Sequence, residues 1–324
     1  MLLMHGDCLE EMKKIPSGSV DLILTDPPYG TIANIPIEGY VESQRNTQWD
    51  TIIPLEDMFA AANRLLRGGG RLVLFGQEPF TSQLIRFMGT PEANNVVFNY
   101  RMVWLKDEFG NHLLAKKAPV SHFEDILVFT KKYDWNNENP LRQYSIKVQK
   151  FIDQSLKEVN TKLGHRRAEH FFYTDSTQFG ICTAKTYEDL IQTFGIDKMD
   201  GFIEYTTLRR LYQDTMVPVF NLPEGCKVKS NILQYKKDRG GFHPTQKPVA
   251  LMEDLVQTFC NPGNTVLDFT MVSGSTGVAC INQGRDFIGI EKDPVYFEKT
   301  SNRLDKALQA YKLQISTPES GKLF

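Results

Sequence analysis

Two rhythms alternate along the 324-residue chain. Short apolar runs bounded by turn residues read as buried strands: Leu2–His5, Val20–Thr25, Arg71–Phe75, Val96–Leu105, Asp125–Thr130, Ser230–Tyr235, Thr265–Phe269 and Asp286–Ile290. Between them apolar residues recur three and four places apart, which predicts helices over Cys8–Lys14, Leu55–Leu66, Pro79–Met88, Pro248–Cys260 and Pro294–Leu313. The glycines Gly68-Gly69-Gly70 are expected to end the second of these. Strands alternating with helices predict an α/β fold, a doubly wound and mostly parallel Rossmann-like sheet. The rhythm changes after Trp135–Pro140. A basic helix over Ser145–Leu163 and a polar, aromatic stretch His165–Thr183 follow, then two short helices, Tyr187–Phe194 and Tyr205–Tyr212, spaced like a helix-turn-helix pair. Residues 136–225 thus read as a mainly helical insert between two halves of one sheet domain, 1–135 and 226–324.

Two strand ends carry candidate chemistry. The run Val20–Thr25 stops at Asp26-Pro27-Pro28-Tyr29. Paired prolines end strand pairing, fix the turn and contribute no N–H groups. A carboxylate, free carbonyls and an aromatic ring then stand at a strand's C-terminal end, where open α/β sheets bind ligands. A planar substrate with an amino group suits this turn, since a ring can stack on its plane while oxygens accept its hydrogens. Taken alone, a Pro-rich surface turn explains the tetrapeptide equally well.

The second strand end is Val266-Leu267-Asp268, followed by Ser273-Gly274-Ser275-Thr276-Gly277, a helix, another strand and Glu291. This is the order of a nucleotide-binding βαβ unit, with helix N–H groups offered to an anion and a late carboxylate placed for ribose hydroxyls. Fourteen residues from Gly277 to Glu291 are fewer than a dinucleotide unit uses, and no Walker lysine follows the glycines. A small nucleoside-type cofactor bearing a carboxylate fits better than a pyrophosphate. The glycine loop comes near the C-terminus instead of first, so the chain reads as circularly permuted. That order predicts the last helix beside the first strand.

Composition narrows the picture little. Hydrophobic residues make up 41% and charged ones 23%, with a net charge of −2, as in an ordinary globular protein. No apolar run is long enough to span a bilayer, and the N-terminal residues do not form a signal peptide. Five scattered cysteines without a CxxC pair predict neither a disulfide framework nor a metal site, and a cytoplasmic setting is expected. Charge is uneven: residues 1–60 carry ten acidic groups against three basic ones, whereas 141–170 carry seven basic against three acidic. One face of the insert is therefore a candidate for a polyanion.

The ordered set Gly6-Asp7-Cys8-Leu9-Glu10, Val20–Gly30, His243-Pro244-Thr245-Gln246-Lys247-Pro248, Val266-Leu267-Asp268, Ser273–Gly277 and Ile290-Glu291 resembles the β group of DNA amino-methyltransferases. Trp49-Asp50 and Ala115–Pro119 are similar to phage and prophage members. The resemblance covers roughly 1–135 and 226–311, and it implies the following roles. S-adenosylmethionine is the cofactor. Asp26 and the Pro27 carbonyl, in the turn with Pro28, hold the target amino group, and Tyr29 stacks on a base flipped out of double-stranded DNA. Asp7 meets the adenine edge and Glu291 the ribose. Asp268, Phe269, Ser273, Gly274, Ser275 and Thr276 line the methionine part, with Thr245 and Lys247 near its carboxylate. Asp at the head of the tetrapeptide resembles adenine-N6 enzymes more than cytosine-N4 enzymes, which more often have Ser. A homodimer is compatible with the resemblance.

For the DNA face, the basic groups from Arg142 to Arg167, with His165 and His170, are the expected phosphate contacts. His165, Arg166 and Arg167 head that set, joined by Arg209 and Arg210 and by Lys116 and Lys117 in a loop on the Asp26 side. Phe171-Phe172-Tyr173 reads as core before stacking platform. One residue departs from the family pattern: Val272 stands where the first glycine of the cofactor loop belongs. A β-branched residue is poor at positive φ and at close backbone approach, so weakened cofactor binding is expected. A non-catalytic DNA-binding relative is the alternative it raises.

Overall fold

The computed structural model describes residues 1–31, 50–88, 90, 93, 95–110, 119–132, 140–176, 178–216, 219–238, 240, 243 and 246–316. The chain forms two compact units, Met1–Lys131 with Pro218–Phe324, and Lys132–Val217. The joins drawn from composition were 135/136 and 225/226. The return crossing falls earlier because residues just after it already belong to the sheet unit. Asn221 N donates to Thr258 O at 2.8 Å, and the Phe220 and Phe259 rings lie 6.1 Å apart.

In the sheet unit the strands are β1 (Leu2–His5), β2 (Val20–Thr25), β3 (Leu66–Gly76), β4 (Val96–Gly110), β5 (Ser121–Lys131), β6 (Ile232–Gln234), β7 (Thr265–Asp268) and β8 (Asp286–Glu291). They form one sheet in the order β1-β8-β7-β2-β3-β5-β4-β6. The first five in that order are parallel. Strand β5 runs antiparallel to β3 and β4, and β6 parallel to β4. The helices are α1 (Cys8–Met12), α2 (Leu55–Leu65), α3 (Phe80–Phe87), α9 (Val249–Phe259), α10 (Ser275–Asn282) and α11 (Pro294–Ser316).

Alternation along the strands supplies both faces of the core. Leu22, Leu24, Val73 and Phe75 pack with Leu251, Leu255, Ala279 and Leu304 of α9–α11. Ile23, Leu72 and Leu74 pack with Met12, Phe59, Phe80 and Leu84 of α1–α3. Helix α10 after β7 thus covers one face, and α2 after β2 the other, so neighbouring strands β7 and β2 flank the topological switch point. In such sheets the crevice there, beyond the strands' carboxyl ends, is the ligand site. The permuted order closes as expected: β1 pairs with β8, and the His5 ring lies 5.1 Å from Phe297 of α11.

Two local expectations are corrected. Gly68–Gly70 do not end α2, which stops at Leu65. They lie within β3, whose first half begins directly after α2, and a Cβ at Gly70 would come within 3.1 Å of Asp21 O on β2. Strand–strand proximity, not helix termination, uses that glycine.

The second correction lies in the helical unit. It holds α4 (Pro140–Ile152), α5 (Leu156–Leu163), α6 (Glu169–Phe172), α7 (Ala184–Phe194), a single 3-10 turn at Ile196–Lys198 and α8 (Tyr205–Met216). The expected long basic helix is two, α4 and α5. Asp153 takes φ +46°, and Ser155 then caps α5 in a reciprocal capping box with Glu158, a start signal strong enough to end the preceding helix. Leu141, Tyr144, Val148, Phe171, Phe172 and Tyr187 are among its buried core residues. Among the described residues of the chain, no helix is long and apolar enough to cross a membrane.

Candidate active site

Strand β2 delivers Asp26 to the switch point because its residues Leu22–Thr25 are fully buried between two helical layers. The turn is then tied across to β7. Thr25 Oγ1 donates to Asp268 Oδ1 at 2.8 Å and lies 2.6 Å from Thr270 Oγ1, whose hydroxyl reaches Asp26 O at 3.1 Å. On the other side Gly30 N donates to Asp50 Oδ1 at 2.9 Å, and the Tyr29 ring stacks on Phe80 with centroids 5.7 Å apart.

Both oxygens of the Asp26 carboxylate accept a side-chain donor. Tyr29 OH donates to Oδ1, and the Lys247 ammonium, which precedes α9, donates to Oδ2. Lys247 also lies 3.1 Å from Glu124 Oε2 on β5 and 4.9 Å from the Phe75 ring centroid. Glu124 Oε1 in turn accepts from Lys106 on β4. Two acids and two bases thus alternate, with only 7% of each lysine side chain exposed. Burial pushes the Asp26 carboxyl up, with Lys247 opposing it. Burial would also raise Glu124, yet Lys247 and Lys106 hold it below the usual carboxylate range. Burial pulls Lys247 down, but the two carboxylates outweigh it and leave the ammonium above its ordinary value. Burial beside Asp26 pushes the Tyr29 phenol well up, so Tyr29 is a donor at neutral pH.

The turn after β7 uses hydroxyls instead of cations. Asp268 is buried and accepts from Thr25, from Thr276 Oγ1 at 2.5 Å and from Thr270 N at 3.2 Å. Burial pushes its carboxyl up to about 6. Val272 takes φ +38°, the left-handed region that favours glycine. Its N–H donates to Glu291 Oε2 at 3.0 Å, and its carbonyl accepts from Thr300. Gly274 takes φ +73°, and a Cβ there would meet Thr300 Cγ2 at 2.6 Å. Arg303 donates to Ser273 O at 2.7 Å, while the Ser273 and Ser275 hydroxyls lie 3.3 Å apart. Helix α11 therefore clamps this loop from behind.

Glu291 ends β8 with Oε2 on Val272 N and Oε1 on Asp293 N at 2.8 Å. One backbone donor per oxygen leaves each with a further lone pair, so the carboxylate retains capacity for two ribose hydroxyls. These acceptors fit the ribose hydroxyls of a nucleoside cofactor. Asp7 caps α1 by accepting from Leu9 N at 3.0 Å and lies 3.1 Å from Lys292 Nζ. The Phe269 side chain is buried on the α1–α3 face.

The sheet unit thus gathers Asp7, Asp26, Pro27, Pro28, Tyr29, Asp268, Ser273–Thr276 and Glu291 along the carboxyl ends of parallel strands β1, β8, β7 and β2 and the turns that follow them, and Lys247, between β6 and α9, reaches Asp26 there. Thr245, Lys116 and Lys117 lie outside the described residues. In the helical unit Arg167, Arg209 and Arg210 are exposed, Arg166 pairs with Glu169 at 2.7 Å, and His165 lies 3.0 Å from Asp189. Arg142 is not free for phosphate: it is buried, donates to the carbonyls of Thr174 and Ser176 and stacks on Phe179. His170 holds Gln178 O at 2.9 Å. Sequence reasoning missed Glu124, Lys106, Thr25, Thr270 and the Asp50 contact. Two acids, Glu124-Asp125, at the head of an otherwise apolar strand were the available signal.

Known proteins place this arrangement. A DNA methylase family model matches residues 20–302. DNA adenine methyltransferase YhdJ of Escherichia coli (strain K12) is 29% identical over 312 residues, covering 94% of this chain and 83% of the relative. Type II methyltransferase M2.DpnII of Streptococcus pneumoniae is 23% identical over 309 residues, 94% and 90% of the two chains. Among solved structures, an M1.HpyAVI–SAM complex aligns with TM-score 0.52 at 22% identity, over 94% of this chain and 98% of that one. The cytosine-N4-specific PvuII DNA methyltransferase aligns with TM-score 0.51 at 13% identity, over 98% and 93%. Both structures speak for the fold. With most of its length under the family model and its paired strand-end turns at the switch point, the chain belongs to the DNA methylase family.

Proposed function

We propose that the chain transfers a methyl group from S-adenosylmethionine to the N6 amino group of an adenine flipped out of double-stranded DNA. The observation that carries this is the Asp26 turn, whose backbone carbonyl accepts from Thr270 and which is tied through Thr25 to Asp268 and the turn after β7. That coupling sets an amino-group acceptor beside a nucleoside-type site across the switch point. A relative named as a DNA adenine methyltransferase supports adenine over cytosine.

When bound, the cofactor supplies an electrophilic sulfonium methyl. The protein's part is placement. Glu291 offers its spare acceptor capacity to the ribose, and the loop from Ser273 to Thr276, clamped by Thr300 and Arg303, lines the methionine part. Asp26 and the Pro27 carbonyl accept the amino hydrogens and so aim the nitrogen lone pair, while Tyr29, backed by Phe80, supports the base. Positioning and fixed charge account for such a displacement without a protein nucleophile. Exposed Arg167, Arg209 and Arg210 supply phosphate contacts, which orient without reading sequence.

The test is methylation of DNA with a methyl-labelled donor, followed by nucleoside analysis. Labelled N6-methyldeoxyadenosine is expected. Labelled N4-methyldeoxycytidine would move the assignment to cytosine. No label at saturating cofactor would favour the non-catalytic relative, the reading that strained Val272 supports.

A further inference from the structure

The proposed reaction needs Asp26 to accept hydrogens from an amino group, yet Lys247 already donates to its Oδ2. The ammonium takes one lone pair of that oxygen and so competes with the amino group for Asp26. A buried lysine cannot simply be pushed off its counter-ion, because an unpaired charge in a dry site is costly. A second acceptor lies in reach. Glu124 Oε2 is buried, finds no aligned hydrogen-bond donor among the described residues, and lies only 3.1 Å from Lys247 Nζ. Its other oxygen is held by Lys106, which fixes the side chain with Oε2 turned to Lys247. An ammonium has three donors, so a small rotation of Nζ turns a hydrogen from Asp26 to Glu124 while the ammonium stays beside both carboxylates.

We propose that Glu124 is a positioning residue for the transfer reaction: it takes Lys247 from Asp26 when the target amino group arrives. Lys106 keeps Glu124 aimed, and Lys247 guards Asp26 while the site holds no base. This rests on the methyl-transfer reading above. No bond forms or breaks in the exchange, which swaps one charge-assisted hydrogen bond for another.

The role predicts a split that general damage would not give. In Glu124→Gln, Lys247 loses its alternative carboxylate and binds Asp26 more tightly, so the amino group competes poorly. KM for DNA should rise roughly tenfold, the scale of one charge-assisted hydrogen bond. The calorimetric affinity for S-adenosylmethionine should stay unchanged and kcat should change less than threefold. Glu124→Asp keeps the charge but withdraws the oxygens, and should show the same split at smaller size. If the glutamine variant does not fold, this variant decides.

An unchanged KM for DNA in a folded variant overturns the proposal while the unmodified protein's activity leaves the transfer reading intact. Loss of cofactor affinity in step with kcat also overturns it, by making Glu124 merely structural. Absence of transfer by the unmodified protein overturns both.

Discussion

Asp26 and Asp268 leave neighbouring parallel strands at the same end of the sheet, yet they are held by opposite means. Asp26 faces a lysine that is itself shared with a second acid. Among the described residues Asp268 has no cation in contact, and it is held by two threonine hydroxyls and a backbone N–H. Burial raises both carboxyls, Asp268 to about 6 against hydroxyls and a backbone N–H, and Asp26 against the Lys247 ammonium. A shared ammonium compensates charge and can change partner. The turn after β7 is therefore built to stay still and the turn after β2 to exchange a contact, which matches a cradle beside a transfer site.

The sharpest break of this comparison is Lys247→Met. It removes the cation from a buried cluster and leaves the Asp26 charge without its main compensation, the type of change that costs about 3 kcal/mol. Urea unfolding near pH 7 should show a loss of that size. Adding Glu124→Gln should recover part of it, because one buried acid fewer then needs a partner. A loss below 1 kcal/mol would mean that the cluster is effectively solvated, and the contrast with Asp268 would fall.

The second test uses pH. The folded pKa of Asp268 lies above its unfolded value, so its stabilising effect is complete below about 3.8 and is lost as pH rises through about 6. Asp268→Asn removes that titration. Between pH 8 and pH 5 the difference in unfolding free energy between the unmodified protein and the variant should move in favour of the former by roughly 1.5 kcal/mol. A flat difference would show that the hydroxyls compensate the charge as well as a lysine does.

The contrast also explains what the sequence disclosed. Strands β2 and β7, their acids and the permuted order were readable because burial on both faces leaves an unbroken apolar run, and turn residues mark its end. Lys247 was legible as a member of a motif but not as the partner of Asp26, 221 residues away in sequence. Lys106 carries no local signature, and the pair Glu124-Asp125 at the head of an apolar strand is a weak one, since charged residues near strand ends are common on any surface. Their meaning depends on β5 and β4 lying beyond β3 in the sheet, and strand order is not a local property. The break between α4 and α5 failed for a different reason: Ser155 and Glu158 were a visible capping box, outweighed by the basic helical rhythm on either side.

The smallest expected effect concerns the rigid side of the comparison. Val272 at φ +38° holds a conformation that L residues with branched side chains disfavour, at a cost on the order of 1–3 kcal/mol. It stays there because Glu291 takes its N–H, Thr300 its carbonyl, and Gly274 leaves room for the Thr300 methyl. Val272→Gly relieves the strain but adds freedom to the unfolded chain, which takes back about 0.4–1 kcal/mol. The net should be a gain between about 0 and 2.6 kcal/mol, read from thermal melting, where a Val→Gly change at ordinary φ would destabilise. If the valine also crowds the loop, calorimetric affinity for S-adenosylmethionine should rise a few-fold in the same variant. Greater stability at unchanged affinity would separate the two, making Val272 a strained support that the clamp from α11 tolerates and retiring the idea that it weakens cofactor binding.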